Sequence, residues 1–101
     1  MANFDIKTFD GLFGAVLKLK NVEDCRRFFE DVCTIKELQD ISQRLEVARL
    51  LKEGNNYQEV CKQTGASTAT ICRVNKCILY GRGGYDIVLD KNAEENNNGQ
   101  V

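Results

Sequence analysis

Histidine and proline are both absent from this sequence of 101 residues. Without an imidazole the usual general base is missing, so neither a Ser-His-Asp nor a Cys-His nucleophile can be assembled. The five cysteines, Cys25, Cys33, Cys61, Cys72 and Cys77, are odd in number, and no two form a C-x-x-C pair. A structural zinc site, which wants four nitrogen or sulfur ligands in paired spacing, is therefore not expected. The thiols read as reduced and buried, because free cysteine behaves as a small apolar residue. No enzyme is expected: a cysteine nucleophile would have no base, and selective alkylation of one cysteine at neutral pH would be its sign. With no proline and no internal repeat, neither a Pro-rich linker nor a solenoid is suggested. The longest apolar run, Leu12 to Leu17 across Gly14, falls far short of the roughly 18 to 20 residues that span a bilayer. No membrane partner follows. The N-terminus also lacks the basic start, apolar stretch and small-residue cleavage site of a secretory signal, so the expected compartment is the cytoplasm. The length suits one small domain.

Charge is nearly balanced at −1 overall, but it is unevenly placed. Residues 34–85 hold eight basic against five acidic side chains, whereas 86–101 hold one against four. The middle is the basic part and the end the acidic part. The end is also rich in asparagine and has almost no large apolar group, so it cannot offset its ordering entropy by burial. The expectation is a single all-helical domain over 1–89, with an acidic, Asn-rich mobile tail over 90–101.

Helix signals dominate. Thr34-Ile35-Lys36-Glu37 reads as a capping box, and behind it Leu38, Ile41, Leu45, Ala48 and Leu51 recur at three- and four-residue steps. Gly54 follows where a left-handed cap is wanted, giving a helix of about five turns. Asn21 with Asp24 marks a shorter helix whose apolar face is Cys25, Phe28, Phe29 and Val32, and Asn56 with Glu59 marks another start. Near the N-terminus, Phe9, Leu12, Phe13, Val16, Leu17 and Leu19 cover nearly half the circumference of a helix. A chain this short has difficulty closing a core alone, so a homodimer packed through these faces is expected; the alternative is a monomer whose other helices cover both sides. Three glycines in Gly81-Arg82-Gly83-Gly84 end any helix, and Ile87, Val88 and Leu89 then offer a short apolar patch.

The segment Asn56 to Ile78 has helix-turn-helix grammar, with the motif running over about 56–80. A helix from Tyr57 to about Gln63 is followed by Thr64-Gly65-Ala66, and a second helix opens with Ser67 as its N-cap. On that second helix Ile71, Val74 and Ile78 form one apolar stripe, while Thr68, Ala69, Cys72, Asn75 and Lys76 face elsewhere. A recognition helix needs short side chains near its N-terminus and cations on its flanks. Ser67, Thr68, Ala69 and Thr70 meet the first need; Lys62, Arg73, Lys76 and Arg82 meet the second. Between Asn56 and Arg82 the only acid is Glu59. An ordinary αα-hairpin with a Ser-capped second helix would look the same on spacing alone.

Those motifs, together with Gln43-Arg44, Leu50-Leu51 and the run Thr64-Gly65-Ala66-Ser67-Thr68-Ala69-Thr70-Ile71 with Arg73, resemble the Trp repressor-like family, in its YerC/YecD-type branch. The resemblance covers roughly residues 10–88. It implies an all-α, short-helix fold in an intertwined homodimer that binds double-stranded DNA through one helix-turn-helix per chain, each reading half of a palindromic operator. The implied activity is sequence-specific transcriptional regulation, with repression the expected direction; a dimeric helical protein-interaction module without DNA binding is the alternative. Lys62, Arg73 and Lys76 should contact phosphates, while Thr68, Ala69 and Cys72 face base edges, with Gln58 and Ser67 at the margin and Thr70 beside them.

The resemblance also implies an effector pocket. In Trp repressor the corepressor lies between two arginines, at places matched by Arg44 and Arg73, and Thr34 matches a pocket threonine. Val74 stands where a glycine lies beside the indole, and Cys77 replaces a serine that holds the amino group. A small-molecule corepressor fits this pattern, whereas tryptophan itself is disfavoured because an added isopropyl group would crowd a flat ring. For Arg44 an ion pair, and for Arg73 a phosphate contact, are the competing roles.

Overall fold

The computed structural model describes residues 4–90, so the tail expected over 90–101 lies, from residue 91 onward, outside the described residues. Every element among the described residues is helical. A 3-10 turn at Ile6–Phe9 leads into α1 (Asp10–Val16), α2 (Val22–Val32), α3 (Ile35–Lys52), α4 (Tyr57–Thr64), α5 (Thr68–Tyr80) and α6 (Gly84–Leu89). The chain divides into two compact units, residues 1–38 and 39–101.

In the first unit, Asp5 caps the 3-10 turn by accepting from the Lys7 N–H at 3.0 Å. Asn21 caps α2, its Oδ1 accepting from the Asp24 N–H at 2.8 Å, while the Asp24 carboxylate accepts from the Lys20 N–H at 3.1 Å. The extended backbone that Asn21 must adopt (φ −158°, ψ 176°) forces the chain out of helix beforehand. α1 therefore stops at Val16, and Leu17 and Leu19 fall beyond the single stripe read from the sequence. Cys25, Phe28 and Phe29 on α2 are half-buried, and Val32 is exposed. The rings of Phe28 and Phe29 meet edge-on with centroids 5.1 Å apart, a geometry favoured by the aromatic quadrupole. No residue of the 3-10 turn, α1 or α2 is buried.

The capping box at the start of α3 is formed: the Glu37 N–H donates to Thr34 Oγ1 at 3.1 Å, and the Thr34 N–H donates to Glu37 Oε1 at 2.8 Å. At its other end the Gly54 N–H donates to the Leu51 carbonyl at 3.0 Å and the Asn55 N–H to the Leu50 carbonyl at 3.1 Å. This pair of bonds satisfies carbonyls that the helix end would otherwise leave open.

The second unit is built on a core of Val47, Ala48, Leu50, Val60, Ala66, Ile71 and Val74, with Leu51, Ile78, Tyr85 and Leu89 packed against it. The core side of α3 thus differs from the stripe read in the sequence. Ala48 and Leu51 belong to it, but Val47 and Leu50 replace Ile41 and Leu45, which are 49% and 41% exposed. α3 is apolar on more than one side, and the side with the most regular spacing is not the one this chain covers by itself. The Gly81–Gly84 loop ends α5 as expected, but the patch after it is helical: Gly83, at φ 78°, stands immediately before α6. α6 is tied to α3 by an ion pair from Lys52 Nζ to Asp86 Oδ1 at 2.5 Å.

Candidate nucleic-acid interface

Local sequence sets the helix-turn-helix. Asn56 and Glu59 form a reciprocal capping box, the Glu59 N–H donating to Asn56 Oδ1 and the Asn56 N–H to Glu59 Oε1, both at 2.9 Å. α4 ends at Gly65, whose φ of 74° lies in the left-handed region that only glycine enters cheaply. The turn is then fixed by Thr64, whose hydroxyl donates to the Val60 carbonyl at 2.7 Å and accepts from the Ala66 N–H at 3.1 Å. Gln43 Nε2 on α3 donates to the Thr64 carbonyl at 3.3 Å, holding the turn against the longer helix.

Ser67 caps α5: its Oγ accepts from the Thr70 N–H at 3.1 Å and donates to Thr70 Oγ1 at 3.1 Å. Seating then decides which side of α5 looks outward. Ile71 and Val74 are 0% and 1% exposed and sit in the core, with Ile78 half-buried behind them. Thr68, Ala69, Cys72, Arg73 and Lys76 are consequently exposed, Asn75 is half-buried, and Gln58 and Lys62 are exposed on α4. Thr70 is half-buried and engaged with the cap.

The cations fall into two groups. Arg49 is held between Glu46 and Glu53, Lys52 is paired with Asp86, and Arg26 with Glu23. The hydrogen bonds and charge of the Glu46–Arg49 pair hold the Glu46 carboxyl below its ordinary pKa and the guanidinium above its own. Lys62, Arg73 and Lys76, by contrast, take part in no ion pair among the described residues. α5 contains no acidic residue, and its N-terminus carries the positive end of the helix dipole.

All five cysteines are free, and the expected burial is corrected: Cys61, Cys72 and Cys77 are exposed, and Cys25 and Cys33 only half-buried. Cys61 and Cys72 each follow a core residue directly, Val60 and Ile71, and one step along a helix turns a side chain about 100° away from the core.

A cavity of about 550 Å³ opens between α3, α5 and α6, lined by Ile41, Arg44, Leu45, Cys77, Arg82, Tyr85 and Val88 with Gly81 and Gly84. It brings together Arg44 and Cys77 of the effector-pocket residues. Arg73 does not line it. Val74 places its isopropyl group in the core, so it does not crowd this cavity. Thr34 belongs to the first unit, where its hydroxyl is occupied by the capping box. Arg82 and Tyr85 were not singled out for this pocket; only their place in the glycine loop and just after it distinguished them.

Residues 7–93 match the sequence profile of the Trp repressor protein family. The chain belongs to the Trp repressor family. Within it, the chain is 53% identical over 88 residues to YerC of Bacillus subtilis, an uncharacterised protein, covering 87% of this chain and 85% of that one. The crystal structure of a TrpR-like protein from Eubacterium eligens superposes with a TM-score of 0.81 at 45% identity, over 90% of this chain and 94% of that one. A second crystal structure, from Staphylococcus aureus, gives a TM-score of 0.80 at 44% identity, over 86% and 87% of the two chains. The all-α Trp repressor-like fold read from the sequence is thus the one the chain adopts. Among the described residues no helix is long and apolar enough to cross a membrane.

Proposed function

We propose that this Trp repressor family member is a sequence-specific DNA-binding transcriptional regulator that acts as a homodimer, with repression the direction the family implies. The observation that carries the reading is the exposed, acid-free face of α5. It is seated by Ile71 and Val74 and flanked by Arg73, Lys76 and Lys62, which take part in no ion pair among the described residues. Short side chains at the start of the helix let its backbone approach base edges, and the cations fix register on the phosphates. α4 crosses the backbone, placing Gln58 and Lys62 at the rim.

Dimerisation is supported by apolar surface that the single chain leaves open. Phe9, Leu12, Phe13 and Leu17 in the first unit are 44%, 46%, 42% and 85% exposed, and Ile41 and Leu45 in the second stand open as well. Removing such groups from water on association stabilises by about 25 cal/mol per Å². Two reading heads about 34 Å apart would meet successive major grooves of a palindromic operator. Regulation of this kind requires no catalysis, and the proposed compartment is the cytoplasm.

Selection from a fragmented genomic library by the purified protein, read by sequencing, tests the proposal, with Arg73→Ala and Lys76→Ala proteins run alongside. The wild type should enrich a palindromic site. Each variant should lower the slope of log affinity against log salt by about 0.9 for the phosphate contact it loses. A folded dimer that binds no DNA at low salt would instead identify a protein-interaction module, and an unchanged slope would remove these two residues from the interface.

A further inference from the structure

The chemistry of the reading face restricts what it can recognise. Paired hydrogen bonding to bases comes from a short list of side chains: Arg or Lys to guanine, Asn or Gln to adenine, Asp or Glu to cytosine. The exposed positions on the first two turns of α5 are Thr68, Ala69, Cys72 and Arg73; of these only Arg73 belongs to that list, and the reading above assigns it to a phosphate. The Ser67 and Thr70 hydroxyls are joined to each other in the cap. Lys76 lies eight residues beyond Thr68, about 12 Å along the axis, where a helix entering by its N-terminus has moved off the base edges. Asn75 is half-buried beside it. What is left to face the bases is Thr68, Ala69 and Cys72, a small surface of two methyl groups, a thiol and the Thr68 hydroxyl.

We propose that this face recognises thymine through its C5-methyl group, so that the operator is chosen chiefly by methyl contacts near the centre of each half-site. The inference rests on the DNA-binding reading above and names the chemistry by which that same site discriminates. Among the four bases only thymine presents an apolar group in the major groove. Against Ala69 and Cys72 a cytosine or a purine presents no methyl group, so the apolar contact is lost with the wrong base. Thr68 and Cys72 lie one turn apart on the same side of the helix, so each can meet a methyl group within a half-site.

The test takes the enriched DNA and replaces each thymidine in turn by deoxyuridine, which keeps the pairing and removes only the methyl group. Affinity should fall about fourfold for each contacted methyl, the equivalent of one buried methylene, and about fifteenfold for a symmetric pair in the two half-sites. Thr68→Ser and Cys72→Ser proteins, altered only on the exposed face and checked for folding by circular dichroism, should each lose sensitivity at one of the positions. Tolerance of deoxyuridine within twofold at every position would overturn the inference while leaving DNA binding intact. Full sensitivity in both variants would assign the methyl contacts elsewhere and overturn it equally. Enrichment of no DNA at all would overturn the regulator reading and this one together.

Discussion

Truncation of Ile71 to alanine tests whether α5 is seated as described, because its neighbour Cys72 supplies a control one residue away. Ile71 is 0% exposed and joins α5 to Val47 and Ala48 of α3 and Val60 of α4 within one core. Ile71→Ala deletes three carbons, a transfer loss of roughly 2.4 kcal/mol at about 0.8 kcal/mol per methylene. With so few buried residues around it the site can collapse only in part, so a cavity contribution brings the cost to about 3–4 kcal/mol. Chains of this size shift their melting temperature by about 4–8 °C per kcal/mol, so a fall of roughly 12–30 °C is expected. Ile71→Val should cost about 1 kcal/mol, and Cys72→Ser, on the open face, no more than about 0.5 kcal/mol. Thermal and urea melts of the three proteins at one concentration provide the readout. DNA affinity at a temperature where all are folded should follow the opposite order, because only Cys72 lies on the face proposed to read DNA. Equal destabilisation by the Ile71→Ala and Cys72→Ser changes would refute the orientation of α5, and the proposed function with it.

Four further outcomes follow from features of the same chain. A Cβ at Gly65 would meet no atom within 4 Å, so Gly65→Ala should cost only the left-handed backbone, about 1–2 kcal/mol. At Gly81 a Cβ would stand 2.4 Å from the Cys77 carbonyl oxygen, so Gly81→Ala must shift the end of α5, and its urea midpoint should fall further than that of Gly65→Ala. If the chain forms the proposed dimer, Phe13→Lys together with Leu17→Lys should leave helicity in place and lower the dimer fraction in sedimentation by about tenfold or more; a wild type that sediments as a monomer would refute the dimer, and an unchanged dimer in the variant would place its contact elsewhere. The Glu46 carboxyl is held below its ordinary pKa chiefly by its hydrogen bond from Arg49, so its contribution to stability is present above the unfolded carboxylate pKa and is lost as pH falls through the folded one. Both groups are exposed to screening, and the difference between wild type and Glu46→Gln should be small at pH 7 and shrink further as the pH falls below the ordinary carboxylate range in urea melts.

Caps were the most legible part of the sequence. Thr34 with Glu37, Asn56 with Glu59, and Ser67 each open a helix at the residue expected, because a side-chain oxygen within reach of an orphan N–H is a local property needing no tertiary contact. The outward set on α5 was legible for the same reason, since Ile71 and Val74 fix the inner side by spacing alone. Val47 and Leu50 were missed because α3 has apolar residues on several sides, and periodicity cannot say which side this chain covers and which it leaves for another surface. Helix α6 was missed because the glycines before it read as a stop, whereas Gly83 at its left-handed φ also serves as a start. The cavity residues Arg82 and Tyr85 lie far along the chain from Arg44, and no local signal joins them.

The core described above spans a short stretch of chain, from Val47 to Val74, with every buried side chain supplied by α3, α4 or the turn and helix that follow. Contacts so close in sequence require little loop closure, and chains dominated by them fold in microseconds to milliseconds. During synthesis the α1 and α2 segments leave the ribosome first but contain no buried residue, so their aromatic side chains stay open to chaperones while translation proceeds. The core of the second unit can close as soon as α5 has emerged. In the proposed dimer the order of events would therefore be the reverse of the order of the sequence: the later half closes its core first, and the apolar faces of the earlier half are covered last, when a second copy docks.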